Sequence, residues 1–470
     1  MGRFWVWVAC WPLEVTGPGR GGTNAGLLRV PLREFSAAPG CLAAPRIREM
    51  NHEWLLLICG RQLAWLGGEM NRWWKMVLEE PHRVFFPLGM LAAVYGVLLW
   101  PLHYAGWLGF DPVGAHPRLM VEGFAGAFVV GFLGTSFPRL AGNRRWFALE
   151  WLALLGLWLG VAVNAALGRV ATADGTFAVL LGVLWLGLVG RWALGRRDTP
   201  PPGFVLAMAG VVGTAVAAAC LAWDGGLWLG PAGLAWAKLW LFQGFLLLPL
   251  MGIGPYMLPR FFGQPSSHSF DDSPRPPAGW WRRVGAAGFW GLHLVGSFAL
   301  EVYGYPVLGQ ILRALVIGVW FAMESPVFRR SKTQSTAVTV VRLALVGLLA
   351  GFIAAGLWPA ARIGSLHLVF ASGLGLMIVA VATRVVLGHA GRHDLLAGRM
   401  VWLRWVAGLV ILAAATRMSA DFIPKVRVSH HLYAAWTWAA AVVIWAAVMA
   451  RFMFRNEDDP KPRSRCPRRQ

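Results

Sequence analysis

Twelve long apolar runs dominate the chain after Pro81 and restrict what it can fold into. Crossing a hydrocarbon core of ~30 Å takes about twenty apolar residues of helix, at ~1.5 Å per residue. Of the 470 residues, 57% are hydrophobic and only 14% are charged. The sequence therefore predicts an all-α polytopic membrane bundle of about twelve transmembrane helices, near residues 84–104, 119–140, 147–167, 175–193, 203–223, 232–257, 284–300, 305–324, 339–359, 363–388, 400–417 and 430–453.

The net charge of +21 raises the question of nucleic-acid binding, and the positions of the basic residues argue against it. They concentrate in alternate loops, as the positive-inside rule requires of a membrane protein. We therefore expect the lipid bilayer as partner and no nucleic acid, with the start of helix 1 and the C-terminus in the cytoplasm. The basic loop residues are Arg139, Arg144, Arg145, Arg191, Arg196, Arg197, Arg260, Arg282, Arg283, Arg329, Arg330, Lys332, Arg392 and Arg399.

Composition divides the chain into three segments. Residues 1–79 are rich in Pro, Gly and Arg and hold no run long enough to span a bilayer, so we interpret them as a poorly ordered extension. Residues 80–455 form the transmembrane domain, and residues 456–470 form a basic cytoplasmic tail. Three methionines are alternative starts of translation: Met50, Met70 and Met76.

A four-helix unit recurs three times along the transmembrane domain. In helices 2, 6 and 10 a polar residue precedes an arginine by 17 positions, and the polar residues are 121 and 124 positions apart. The pairs are Glu122–Arg139, Gln243–Arg260 and His367–Arg384.

This register places the three polar residues near the outer edge of the hydrocarbon core, ~25 Å from their arginines. Ionisable groups inside a membrane usually face the bundle interior, so the shared register predicts a site. The alternative is interhelical hydrogen bonding, which would explain each residue taken alone. For Glu122, a second alternative is an ion pair with Arg118 one turn earlier.

Histidines and clustered bases supply the remaining candidate chemistry. Imidazoles at the outer helix ends would suit copper or haem iron, although isolated interfacial histidines are usually only solvated. The candidate metal ligands are His103, His116, His367, His430 and His431.

The segment Thr383–Arg392 carries Arg384, His389 and Arg392 at the cytoplasmic end of helix 10. Bases and glycines so closely spaced predict a cradle for an anion such as a haem propionate or a lipid phosphate. The alternative is a glycine helix stop with basic topology determinants. No P-loop, GxSxG, HExxH or Rossmann fingerprint occurs, so hydrolase and nucleotide-driven pump functions lack support.

The chain resembles the NnrS family of bacterial twelve-helix membrane proteins, which is associated with the response to nitric oxide. The resemblance covers roughly residues 80–455. It is carried by His367, Gly373, Gly375, Met377 and the Thr383–Arg392 string, which looks like the family's TRxxLGHTGR signature.

This resemblance implies haem and copper as cofactors, nitric oxide as a small-molecule partner and a bacterial inner membrane as the location. It also implies a helix plan similar to that of the haem-copper oxidase catalytic subunit. His367 and His116 would be ligands, with Glu122 and Gln243 as surrounding or proton-handling groups.

No catalytic residue is assigned, and the balance is against an enzyme. Two alternatives stay open: a permease or channel for a small molecule, and a degenerate structural member without metal.

Overall fold

The computed structural model describes residues 73–224, 229–329, 331 and 335–455, and the regular structure in these ranges is helical. Residues 73–79 are helical and pack Val77 into the core, while the rest of the predicted extension and the tail lie outside the described ranges. Twelve long helices follow: α1 His82–Tyr104, α2 Pro112–Leu140, α3 Ala148–Ala166, α4 Val170–Ala193, α5 Phe204–Asp224, α6 Gly230–Phe261, α7 Trp280–Val302, α8 Pro306–Glu324, α9 Thr336–Leu357, α10 Pro359–His389, α11 Val401–Phe422 and α12 Pro424–Met453.

Eleven of these helices are long and apolar enough to cross a membrane, which confirms the prediction of an all-α polytopic bundle. The other is α7, which carries Arg282 and Arg283 in its first turn and Glu301 near its end. Its 23 residues still cover ~35 Å, enough to cross the hydrocarbon core.

The inner part of the bundle consists of α2, α6 and α10. In their apolar windows 78%, 72% and 61% of the residues are buried within the protein, against 28–56% in the other spans. An apolar cavity of about 120 Å³ lies between these three helices and α1, with Phe128, Ile253 and Met377 in its lining. The three helices that carry the sequence repeat therefore surround one cavity.

The same backbone turn ends each of the three inner helices. Gly142, Gly263 and Gly391 have positive φ values of 56°, 65° and 64°, which glycine adopts without steric cost. The next residue donates its N–H to the carbonyl five positions earlier, at 2.9, 3.0 and 2.8 Å, as in a Schellman motif. In α2 and α6 the helix ends within one turn after the arginine of the repeat. Helix α10 continues through Gly388, so it ends one turn later relative to Arg384.

Each inner helix also contains a stretch with π-helical hydrogen bonding. Glu122 and Gln243 lie within the first two stretches, and His367 directly precedes the third. Such wide turns are rare and frequently coincide with functional sites. The backbone thus singles out the same three positions as the sequence repeat. The stretches are Leu119–Ala125, Trp240–Gly244 and Leu368–Gly375.

Candidate functional site

Three histidines from three helices meet at one end of the bundle, which we call the histidine end and define by His116, His367 and His431. They belong to α2, α10 and α12. The ring centroids of His116 and His367 are 6.4 Å apart, and their planes differ by 12°. With metal–nitrogen bonds of ~2.0–2.1 Å, two imidazoles on one ion have centroids roughly 5–6.4 Å apart, so this pair lies at the upper limit of that range.

Backbone carbonyls determine the tautomers of two of these rings. His116 Nδ1 lies 2.9 Å from the oxygen of Gly96, and His367 Nδ1 lies 2.8 Å from that of Ile363. A carbonyl can only accept, so each Nδ1 carries the proton and each Nε2 keeps its lone pair. Metal-ligating histidines are usually held in this way, with the second nitrogen donating to a carbonyl or carboxylate.

His431 completes the group from α12. Its Nδ1 lies 2.8 Å from the hydroxyl oxygen of Tyr104, and its Nε2 is buried without a hydrogen-bond partner. A buried polar atom left without a partner costs about 1–3 kcal/mol. Trp100 packs against this ring and against His116, with centroids 5.3 and 6.1 Å away. A metal ion would satisfy the Nε2 atom, so the residues present fit the group that the resemblance implies.

The other two candidate ligands engage different groups. His430 Nδ1 lies 2.8 Å from the hydroxyl oxygen of Ser419. The ring of His103 packs against Trp100 and Tyr104, with centroids 6.4 and 5.6 Å away. Of the five predicted ligands, the structure thus groups three and places two at the margin.

Glu122 is completely buried, and neither of its oxygens accepts a hydrogen bond. The alternative of an Arg118–Glu122 ion pair is not what the structure forms. Arg118 instead donates to both carboxylate oxygens of Asp174 in α4, at 2.8 Å each. A bidentate contact between a guanidinium and a carboxylate is stronger and more directional than a single bond, which explains the choice of partner.

Similar arginine–carboxylate pairs adjoin the other two register residues. Gln243 accepts a 2.8 Å hydrogen bond from Arg313, which also pairs with Glu301 at 3.1 Å. Near His367, the side chains of Arg417 and Asp421 pair at 2.8 Å. The sequence register missed these charged partners, although acidic residues inside an apolar run are themselves a signal for function.

The predicted anion cradle at the end of α10 is not assembled around one point. Arg384 lies over the ring of Phe261, 4.8 Å from its centroid. Arg392 donates to both oxygens of Asp394, at 2.8 and 2.7 Å. His389 instead bonds to Glu80, as described next, so each base has a different protein partner.

The closest set of potential ligands lies at the opposite end of the bundle. In the described part of the chain, Glu80, His82 and His389 form the one group of three whose ligand atoms all lie within 4.8 Å of one another. We call this set the Glu80 cluster. Burial alone would raise the pKa of the Glu80 carboxyl, but the hydrogen bond and charge of His389 and the charge of Arg83 hold that pKa well below its usual range.

Comparison with known proteins adds one result to this geometry. A family model described as NnrS protein matches residues 76–456, which is most of the chain. The matched range contains all twelve helices, the histidine end and the Glu80 cluster. No curated protein matches the chain.

Proposed function

Since the chain belongs to the NnrS family, we propose that it binds copper or haem iron at the histidine end and serves in a bacterial response to nitric oxide. The arginine-bearing ends of α2, α6 and α10 then face the cytoplasm, by the positive-inside rule. The histidine end faces the opposite side of the inner membrane.

The observation that carries this proposal is the state of the histidine rings. His116 and His367 come from different helices, have nearly parallel planes, and each donate Nδ1–H to a carbonyl. Both Nε2 atoms are therefore available as ligands, and imidazole suits both copper and iron. A packing role would not require two adjacent rings to present the same unprotonated nitrogen.

A bound copper or haem iron would supply a redox-active centre to which a small ligand such as nitric oxide coordinates. The chain's own residues hold and shield that centre. Tyr104 orients His431 through its hydroxyl group, and Trp100 packs against both His431 and His116. The pair of Arg417 and Asp421 supplies fixed opposite charges near His367.

A channel or permease is less well supported by the geometry. The register residues Glu122, Gln243 and His367 would have to open onto a continuous polar path. The cavity between their helices is instead lined by seventeen residues, all of them apolar. Gln243 binds a buried arginine. This contact fits a structural role for Gln243 better than a position in the wall of a channel.

The test is a visible absorption spectrum of the full chain in detergent, air-oxidised and dithionite-reduced, with elemental analysis for iron and copper. We expect bound metal in the wild type and its loss in His116→Ala and His367→Ala. His293→Ala is the matched control, because His293 also donates from Nδ1 to a carbonyl one turn earlier but lies on α7. A colourless, metal-free wild type produced with adequate haem and copper would refute the proposal, as would unchanged metal content in both alanine variants.

A further inference from the structure

The Glu80 cluster lies apart from the histidine end, and nothing in the proposed function uses it. We propose that Glu80, His82 and His389 form a second metal site, one that takes a divalent transition ion such as Zn²⁺. The ligands join the start of α1 to the end of α10. Two imidazoles and one carboxylate are a frequent ligand set for zinc, and three protein ligands leave one coordination position open.

The ring of His82 is already in the state that a metal ligand requires. Its Nδ1 lies 3.2 Å from the hydroxyl oxygen of Thr135, and the backbone N–H of His82 donates to the same oxygen at 3.1 Å. The Thr135 hydroxyl proton is committed to the carbonyl of Gly131, at 2.7 Å. The hydroxyl oxygen must therefore accept from Nδ1–H, which leaves the lone pair on Nε2.

That Nε2 atom has no partner. His82 is fully buried, and its Nε2 makes no hydrogen bond. Such an atom costs about 1–3 kcal/mol if it stays unsatisfied. The ring of His389 lies beside that of His82, with centroids 4.7 Å apart, and a ring nitrogen of His82 lies within 4.8 Å of the ligand atoms of Glu80 and His389.

The spacing of the cluster is slightly wider than that of an occupied site. The three ligand atoms lie within 4.8 Å of one another, whereas ligand atoms in a tetrahedral zinc site are ~3.4 Å apart. His389 Nδ1 and Glu80 Oε1 are already 2.7 Å apart. A bound ion would have to draw the three ligand atoms together by about 1 Å.

Two arginines bind Glu80, and they differ in how firmly they are held. Arg83 donates from Nε to Glu80 Oε2 at 2.6 Å and from Nη1 to the carbonyl of Met453 at 2.5 Å. It is buried between α1 and the end of α12 and bonds to Oε2, whereas Oε1 faces His389 and Arg139.

Arg139 is the group that a metal ion would displace. It binds Glu80 Oε1 at 2.5 Å, and its Nη1 lies 3.2 and 3.3 Å from the two ring nitrogens of His389. Its side chain is 48% exposed, so it can swing into solvent. Arg139 thus competes with the ion for two of the three ligands and sets the affinity of the site.

The test measures Zn²⁺ and Co²⁺ binding by equilibrium dialysis to the full chain carrying His116→Ala and His367→Ala, so that the histidine end does not contribute. We expect one ion per chain, a rise in the midpoint of thermal unfolding with Zn²⁺, and loss of both in His82→Gln and His389→Gln. Arg139→Gln should bind at least tenfold more tightly. His393→Gln is the control, because His393 is exposed at the start of the short helix His393–Ala397, and it should bind as before.

Glu80→Gln keeps the size of the side chain and serves if His82→Gln reduces the yield of folded protein. The proposal fails if the Arg139→Gln form of this background binds no Co²⁺, or if binding survives the loss of His82, His389 and Glu80 one at a time. Either result is independent of whether the histidine end binds copper or haem.

Discussion

Arg118 and Asp174 form a bidentate ion pair between α2 and α4, with both nitrogen–oxygen distances at 2.8 Å. The pair is buried, with Arg118 8% and Asp174 1% exposed. Glu122 lies one turn after Arg118 with no hydrogen bond to either oxygen. The ion pair therefore fixes the start of an inner helix to its neighbour, and the buried Glu122 carboxyl group lies against the same pair.

Asp174→Asn should destabilise the protein strongly. Removing one member of a buried ion pair leaves the other charge uncompensated, at a cost of about 3–5 kcal/mol. The measurement is the thermal unfolding of detergent-solubilised protein followed by circular dichroism. Asp394→Asn is the control, because Asp394 pairs with Arg392 on the surface and should cost less than ~1 kcal/mol. Equal losses in the two variants would contradict the role of burial.

Tyr104→Phe should weaken metal binding at the histidine end by about tenfold, because outer partners of ligating histidines tune metal affinity by roughly that much. The change removes only the hydroxyl group that contacts His431 Nδ1. Competition with a chelator of known affinity measures the effect. Tyr95→Phe, an exposed position on the same helix, should bind as the wild type does, and an unchanged affinity in Tyr104→Phe would remove His431 from the ligand set.

Gln243→Leu should lower stability by about 1–3 kcal/mol, because it leaves a buried donor of Arg313 without its partner. The metal content should stay as in the wild type, since Gln243 binds Arg313 and none of the three histidines of the histidine end. Unfolding midpoints and elemental analysis of the same preparation separate the two effects. A variant that keeps its stability but loses metal would show that Gln243 belongs to the metal site.

Gly203→Ala should disrupt the packing of α5 against α6. A Cβ at Gly203 would lie 2.0 Å from the carbonyl oxygen of Gly252, and one at Gly252 would lie 2.4 Å from that of Gly203. Both obstructing atoms are backbone, so the helices must move apart, at a cost of at least ~1–3 kcal/mol. Gly288→Ala meets no atom within 4 Å and should leave the unfolding midpoint unchanged or slightly raised. Similar midpoints for the two variants would argue against a backbone contact at this crossing.

The helices and their threefold repeat could be predicted from the sequence because both leave signals in one dimension. An apolar run of about twenty residues indicates a transmembrane helix. The constant interval of 17 residues between the polar residue and the arginine can be counted directly in the sequence. Topology also placed His116 and His367 at the same end of inner helices, although it did not predict that their rings would lie next to each other. Their ring tautomers could not be predicted either, because Gly96 and Ile363 contribute only backbone atoms.

The side-chain partners that could not be predicted from the sequence lie on other helices or in other four-helix units. Arg118 has an acidic residue four positions away and binds one 56 positions away, because only the second approaches with both oxygens. Glu80 meets His389 across 309 positions and precedes the first apolar run, where no periodicity marks it. The π-helical stretches leave no mark in the hydrophobic pattern of their helices. They could therefore not be predicted from the spacing of residues in the sequence.

The apolar cavity between the inner helices also has an electrical consequence. Its lining holds seventeen side chains without a polar group, and moving a charge from water into such a medium is costly. The membrane voltage would therefore fall mainly across this layer and not along the helix ends. The charged groups of the Glu80 cluster and of the histidine end therefore lie on opposite sides of an apolar layer.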